Sequence, residues 1–211
     1  MKSDRLEKPI RSVRKVLVNS LGSACKDAEF LTGKSINSLP EFFLAVKVAE
    51  YINSHFPSYC FSMEESLIEL CEEVGVDYED VDSLFRIDKN TRADLVLKNR
   101  KYNTVKHIVE FKRSLHSSTQ IEKDALRLAW ICASAPPKHR IETNYLVAIS
   151  HISPELFEKR TEKIKALVND EVSSNISIRF EPVDLSEFRS TRKNNAGRVL
   201  HGGVWEFKYK H

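Results

Sequence analysis

The sequence predicts an α/β protein in which helices flank a central mixed β-sheet. Segments with a helical period alternate with short apolar runs along most of the 211 residues. Two of these runs follow each other across a short polar connection, which is typical of an antiparallel hairpin. A later run, residues 143–149, is almost continuously apolar, as expected of a strand buried on both faces. Hairpin strands together with strands separated by helices predict a sheet of mixed direction.

The composition is that of an ordinary globular protein. Hydrophobic residues make up 41% of the chain and charged residues 30%, which is enough apolar material for a core. The net charge of +3 permits a nucleic-acid partner without requiring one. The four cysteines form no Cys-x-x-Cys pair, which argues against a zinc site and favours reduced thiols. Because no apolar run has transmembrane length and no signal-peptide pattern is present, we expect a cytoplasmic protein without membrane association.

The first half of the chain is mainly helical by pattern. An amphipathic helix is expected to begin near Pro9 and to pack on the body of the protein. A second helix should start at Glu41, directly after a proline, and its residues are apolar on most sides. Residues 62–75 also have a helical period, and the acidic stretch 75–82 indicates a loop or turn.

The second half alternates strands with helices. Two strands, 92–97 and 107–113, precede a helix whose buried face includes Ile121, Ala125 and Leu128. The remaining predicted elements are a strand at 143–149, a helix at 155–168, a strand at 176–180 and an edge strand at 203–209. These elements divide the chain into an N-terminal helical extension (1–37), a core (38–183) and a C-terminal basic loop with an edge strand (184–211).

Acidic residues interrupt the two hairpin strands, where interior positions should be apolar. Glu110 and Lys112 point to the same face because side chains alternate along a strand. A hairpin centred near Lys101 would set Asp94 opposite Ile108 and diagonal to Glu110, about 7–8 Å away at the backbone. Two such carboxylates can converge on one Mg²⁺ ion, while Lys112 orients a water or offsets charge on a phosphate. The alternative is a structural charge pair on a solvated strand face.

This arrangement resembles the PD-(D/E)xK, or restriction-endonuclease-like, nuclease superfamily over about residues 38–150. Asp94, Glu110 and Lys112 fall on the three motif positions, while Ala93 replaces the proline of the motif name. The resemblance implies a restriction-endonuclease-like core and a Mg²⁺-dependent endonuclease, with Mn²⁺ as a substitute ion. Its expected substrate is DNA, with RNA as an alternative, in restriction, phage defence or repair. Double-strand cleavage usually needs two sites, which suggests a homodimer.

Two further helix positions follow from the resemblance. Members often carry another acid on the first helix, for which Glu41 and Glu50 compete, and Glu41 is preferred. Some families carry a Gln and a Tyr on the helix after the motif, contacting substrate or water. Gln120 matches the first position, but Asp124 stands where the Tyr would fall. The polar stripe of Gln120, Asp124 and Arg127 is explained equally by an exposed helix face.

Basic residues suggest how a nucleic acid would be held. Arg113 follows the Glu-x-Lys motif, and Arg192 and Lys193 lie in a Ser/Thr/Asn-rich loop that could hold backbone phosphates. A solvated surface loop explains the same composition. Two rival readings of the whole chain remain: a restriction-endonuclease-like fold that no longer cleaves and serves for binding or assembly, and an α/β domain with purely structural charges.

Overall fold

A six-stranded mixed sheet lies at the centre of the protein, flanked by helices as the sequence predicts. The computed structural model describes residues 12–77, 90–113, 115, 118–136, 141 and 143–210. Its helices are α1 (Val13–Thr32), α2 (Glu41–His55), α3 (Leu67–Glu73), α4 (Ser118–Ser134) and α5 (Pro154–Glu171). Its strands are β1 (Tyr59–Ser66), β2 (Arg92–Asn99), β3 (Val105–Lys112), β4 (Asn144–Ser150), β5 (Ile176–Arg189) and β6 (Val199–Tyr209).

The strand order is β1-β2-β3-β4-β6-β5, and only the β3–β4 pair is parallel. The first three strands form an antiparallel meander, and α4 then carries the chain across to β4. Because β3 and β4 run in the same direction, their C-terminal ends meet at one end of the sheet. The start of β6 lies at that end too, since His201 pairs with Ser150 at the end of β4.

The sheet separates two hydrophobic cores. One core contains α1 and α2, and its members include Leu17 and Leu44 of these helices and Val109 of the sheet. The other contains α4 and α5, with Leu128 and Phe157 among its members. The helix α1, which the sequence assigns to an N-terminal extension, thus shares a core with α2. Its predicted start near Pro9 lies outside the described residues, and the described helix begins at Val13.

The helix predicted over residues 62–75 is wrong in its first part, which belongs to the strand β1. The strand β1 continues to Ser66, and α3 follows with the Ser66 side chain accepting a hydrogen bond from Glu69 N at 3.5 Å. An edge strand pairs on one side only, here with β2, and most β1 side chains are half-exposed. No alternating apolar pattern therefore marks it in the sequence. Of the predicted loop 75–82, residues from 78 onward lie outside the described part.

The predicted C-terminal edge strand is also wrong, because β6 lies inside the sheet between β4 and β5. Its residues 202–207 are all buried. The edge strand on this side of the sheet is β5, which continues to Arg189 instead of ending near residue 180 and therefore covers β6 along its length.

The cysteines are free, as predicted: Cys25, Cys71 and Cys132 are buried and Cys60 is half-buried. Among the helices of the described ranges, none is long and apolar enough to cross a membrane.

Candidate active site

The hairpin of β2 and β3 brings the two motif acids face to face. The pairs Leu95–Val109 and Val96–Ile108 fix the register, and its continuation places Asp94 opposite Glu110. The predicted pairing of Asp94 with Ile108 is therefore wrong by two residues. The geometry of the turn causes this difference in register. The Asn99 side chain accepts hydrogen bonds from the backbone N–H groups of residues 101 and 102, and a bulge follows Leu97.

Asp94 faces Glu110 across the two strands, and Asp94 Oδ2 accepts a hydrogen bond from Phe111 N at 2.7 Å. Burial raises the pKa of Asp94; the Asp124 charge adds to the increase, whereas Lys112 and the Phe111 N–H oppose it. Burial likewise raises the pKa of Glu110 to about 8, with Asp94 and Asp124 adding to it against the opposing charge of Arg127. Glu110 is only 2% exposed. Two partly desolvated carboxyl groups at opposite positions of paired strands therefore favour uptake of a proton or of a cation.

Lys112 lies among carboxylates at the end of β3. Its Nζ is 3.0 Å from Asp124 Oδ2, although the angle lies outside hydrogen-bond geometry. The same atom is 3.9 Å from Glu110 Oε2 and 3.9 Å from Glu41 Oε2. Burial would lower the pKa of Lys112, but the surrounding carboxylates outweigh it and the net change is an increase. The ammonium group thus stays charged although the residue is 8% exposed.

Asp124 and Arg127 of α4 complete the cluster, which the sequence analysis did not anticipate. Arg127 Nη2 donates to Asp124 Oδ1 at 2.6 Å and to Glu110 Oε1 at 3.4 Å. Asp124 is 6% exposed and Arg127 is 9% exposed, so the interpretation of this stripe as an exposed helix face is wrong for both residues. A signal was present: Asp124 is three residues after Ile121 and four before Leu128, which places it within the apolar stripe.

Of the two candidate acids on α2, only Glu41 reaches the cluster. Besides facing Lys112, its Oε1 accepts a hydrogen bond from Arg113 N at 3.5 Å. Burial raises the pKa of Glu41, and the charge of Asp94 adds to the increase while Lys112 opposes it. Glu50 is exposed and pairs with Lys47 at 2.9 Å instead.

The residues predicted to contact nucleic acid lie further apart than the residues of the acid cluster. Gln120 is exposed on the first turn of α4, one turn before Asp124. Arg113 is half-buried, and its Nη1 donates to the Leu39 carbonyl at 2.5 Å. Arg192 and Lys193 lie in the β5–β6 connection, at the same end of the sheet as the acid cluster. Their role in binding phosphates stays a prediction.

The charges of the cluster bear on whether it fits a metal ion. Among the described residues, the carboxylates of Glu41, Asp94, Glu110 and Asp124 lie around Lys112 and Arg127, so these six groups carry two net negative charges when all are ionised. Within the described ranges, no group of three or more His, Cys, Asp or Glu residues is arranged to hold a metal. A cation would therefore rest on Asp94 and Glu110. Mg²⁺ suits such a donor set, since it takes oxygen ligands and keeps several waters when one or two carboxylates hold it.

Comparison of the chain with protein-family models, curated proteins and solved structures gave no match.

Proposed function

We propose that this protein is a metal-dependent nuclease that hydrolyses phosphodiester bonds of DNA, with RNA as an alternative substrate. The observation that carries the proposal is that Asp94 lies opposite Glu110 on the paired strands, with the Lys112 ammonium group 3.9 Å from Glu110 Oε2 at the end of β3. Two acids and a lysine in this arrangement suit metal-assisted attack on a phosphate.

The order of elements supports assignment to the restriction-endonuclease-like fold. The helix α2 precedes the β1–β2–β3 meander, and the crossover helix α4 leads to β4, parallel to β3. The acids lie on the second and third strands of the meander, where the PD-(D/E)xK pattern expects them. Biological settings that need such an activity include restriction, phage defence and repair.

Asp94 and Glu110 would hold Mg²⁺, or Mn²⁺ in its place. When bound, the ion supplies polarisation of the scissile phosphate and a water of lowered pKa. The Phe111 N–H group fixes one oxygen of Asp94, so this ligand is oriented by the strand itself. Arg127 orients Glu110 in the same sense from α4.

Lys112 provides a positive charge next to the carboxyl pair. In the proposed reaction its ammonium group offsets negative charge that develops on the phosphate. Asp124 positions this ammonium group at 3.0 Å, and Glu41 approaches it from α2 at 3.9 Å. Gln120, Arg113, Arg192 and Lys193 are proposed to contact the nucleic acid, the last two through backbone phosphates.

The test is cleavage of supercoiled plasmid and of single-stranded DNA with Mg²⁺, Mn²⁺ or EDTA, comparing wild type with Lys112→Ala. We expect metal-dependent cleavage, reduced at least about a hundredfold in the variant because charge stabilisation of this kind contributes about that much. Lys101→Ala, an exposed lysine on the β2–β3 turn, is the matched control and should cleave like wild type. Cleavage that survives in EDTA or in Lys112→Ala would contradict the assignment. Conversion to linear product without a nicked intermediate would support a homodimer.

A catalytically inactive fold that binds nucleic acid is the second candidate, and one observation favours it. Arg127 and Lys112 already neutralise part of the acid cluster from within the chain. Under this alternative, wild type binds DNA in EDTA but cleaves nothing in any metal, and calorimetry detects no Mg²⁺ binding. Metal binding without cleavage would support the proposed metal site but contradict the proposed nuclease activity.

A further inference from the structure

A cavity of about 360 Å³ opens at the opposite end of the sheet from the acid cluster. It lies where β3 and β4 begin and β6 ends, so His107, Tyr145 and Lys208 line it rather than the motif residues. Pockets for small ligands start at about 300 Å³. The cavity is therefore large enough for a small molecule and separate from the proposed catalytic site.

One wall of the cavity is aromatic. The ring of Tyr59 lies 5.6 Å from Phe56 and 5.8 Å from His107, the latter edge to face. His107 in turn lies 5.5 Å from the Tyr145 ring. All four rings line the cavity, and Phe56 and Tyr59 are half-buried, so their exposed parts offer a planar ligand a face on which to stack.

Hydrogen bonds at the floor hold these rings in place. The Thr143 hydroxyl group donates to Tyr145 Oη at 2.9 Å. His107 Nδ1 lies 2.8 Å from the Thr143 carbonyl oxygen and 2.9 Å from its Oγ1. Both rings are buried, so the floor is built before any ligand arrives.

The rim of the cavity is cationic. Of the described residues that line it, three are basic and one, Glu206, is acidic. Arg14 is paired with Glu181 at 3.1 Å and lies 3.7 Å from Glu206. Arg179 and Lys208 are exposed and form no ion pair with another residue of the described part. Two cations beside an aromatic wall favour a ligand that carries both a ring and a negative charge.

We infer that this cavity binds a nucleoside monophosphate unit, with the base against Phe56 and Tyr59 and the phosphate at Arg179 and Lys208. The unit is either a free mononucleotide or the 5′-phosphorylated end of a single strand, which present the same chemistry. An apolar ligand would leave the two cations unused, and inorganic phosphate would leave the aromatic wall unused. The inference does not depend on the proposed nuclease activity.

The test is calorimetric titration in EDTA with adenosine 5′-monophosphate, adenosine, inorganic phosphate and a 5′-phosphorylated oligodeoxyadenylate. The double variant Arg179→Gln, Lys208→Gln should weaken binding about tenfold or more, since a hydrogen bond to a charged group contributes about 1.5–3 kcal/mol. Tyr59→Leu keeps apolar bulk on the wall but removes the ring, and it should also weaken binding several-fold. Lys165→Gln on α5 is the matched control for lost charge and should bind like wild type.

Each outcome has a defined meaning. Binding of the monophosphate that is stronger than that of adenosine and of phosphate supports a free nucleotide as the ligand. Binding of the oligonucleotide alone, lost in the same variants, supports the strand end. Absence of binding by all four probes, or binding that none of the cavity variants changes, would overturn the inference.

Discussion

At the scale of residues, a buried arginine sets the electrostatic balance of the acid cluster. Arg127 bridges Glu110 of β3 and Asp124 on its own helix, and its side chain is 11% exposed. Removing one partner of a buried ion pair costs far more than removing a surface charge, because the remaining charge stays desolvated. Arg127 is thus expected to stabilise the fold as well as to orient Glu110.

Arg127→Gln should lower the free energy of unfolding by about 3 kcal/mol at pH 8. The loss should be smaller at pH 6, since Glu110 can then take up a proton. Urea denaturation at both pH values measures the difference. Lys165→Gln, which breaks the surface pair of Lys165 with Glu162, serves as the control and should change stability by no more than about 0.5 kcal/mol. A loss below about 1 kcal/mol for Arg127→Gln would contradict this role.

The pH dependence of the free energy of unfolding should reflect the protonation of Glu110. Its pKa in the folded chain, about 8, lies above its ordinary value of 4.5, so the folded state holds a proton that the unfolded state has released. Stability should therefore fall as the pH rises from about 4.5 to 8, by at most about 1.4 kcal/mol per pH unit. Denaturation curves of wild type and Glu110→Gln should diverge over this range and converge below it. Parallel curves would rule out the elevated pKa.

At the scale of elements, the strands with continuous apolar runs could be predicted from sequence and the edge strand β1 could not. Residues of β4 are buried on both faces, so its sequence is a continuous apolar run, a pattern that a half-exposed strand or helix would not have. In β1 the exposed Glu64 takes φ 54, and pairing with β2 overrides the helical pattern of the following residues. The acids of β2, β3 and α2 were predictable as a group. For Asp124 and Arg127 the sequence was less informative: the position of Asp124 within the apolar stripe signals burial, but helix polarity does not say which neighbour covers either residue.

Alanine substitutions at two glycines should change the stability of the protein in opposite directions. A Cβ on Gly203 of β6 would lie 2.5 Å from Phe180 Cε2, so Gly203→Ala should destabilise the protein by about 2 kcal/mol. Gly22 lies inside α1, and a Cβ added there would meet nothing within 4 Å. Gly22→Ala should therefore stabilise the protein by about 0.5–1 kcal/mol. Thermal unfolding of both variants tests the packing of the two faces. A tolerated Gly203→Ala would contradict the close contact of β6 with the Phe180 ring.

At the scale of the whole molecule, a metal held by Asp94 and Glu110 should stabilise the entire fold. Ligand binding to the native state alone adds about 2.7 kcal/mol at a hundredfold excess over Kd. Mg²⁺ should therefore raise the melting temperature of wild type, and Asp94→Asn should abolish the increase. Without metal this variant should be at least as stable as wild type, because burial already disfavours the Asp94 charge. Asp170→Asn on α5 is the control and should respond to Mg²⁺ like wild type.

The parallel pairing of β3 with β4 has a consequence for the order in which the chain assembles. Ile108 N donates to the side chain of Asn144, 36 positions away, whereas the β2–β3 hairpin pairs residues only 7 to 14 positions apart. Loop-closure entropy grows with loop length, so we expect this hairpin to form early and the crossover to close late. The hairpin supplies Asp94, Glu110 and Lys112, while Asp124 and Arg127 arrive with the docking of α4. The acids therefore gain their guanidinium partner only after the hairpin has formed, and a chain that stalls between these two steps presents unneutralised carboxylates to solvent.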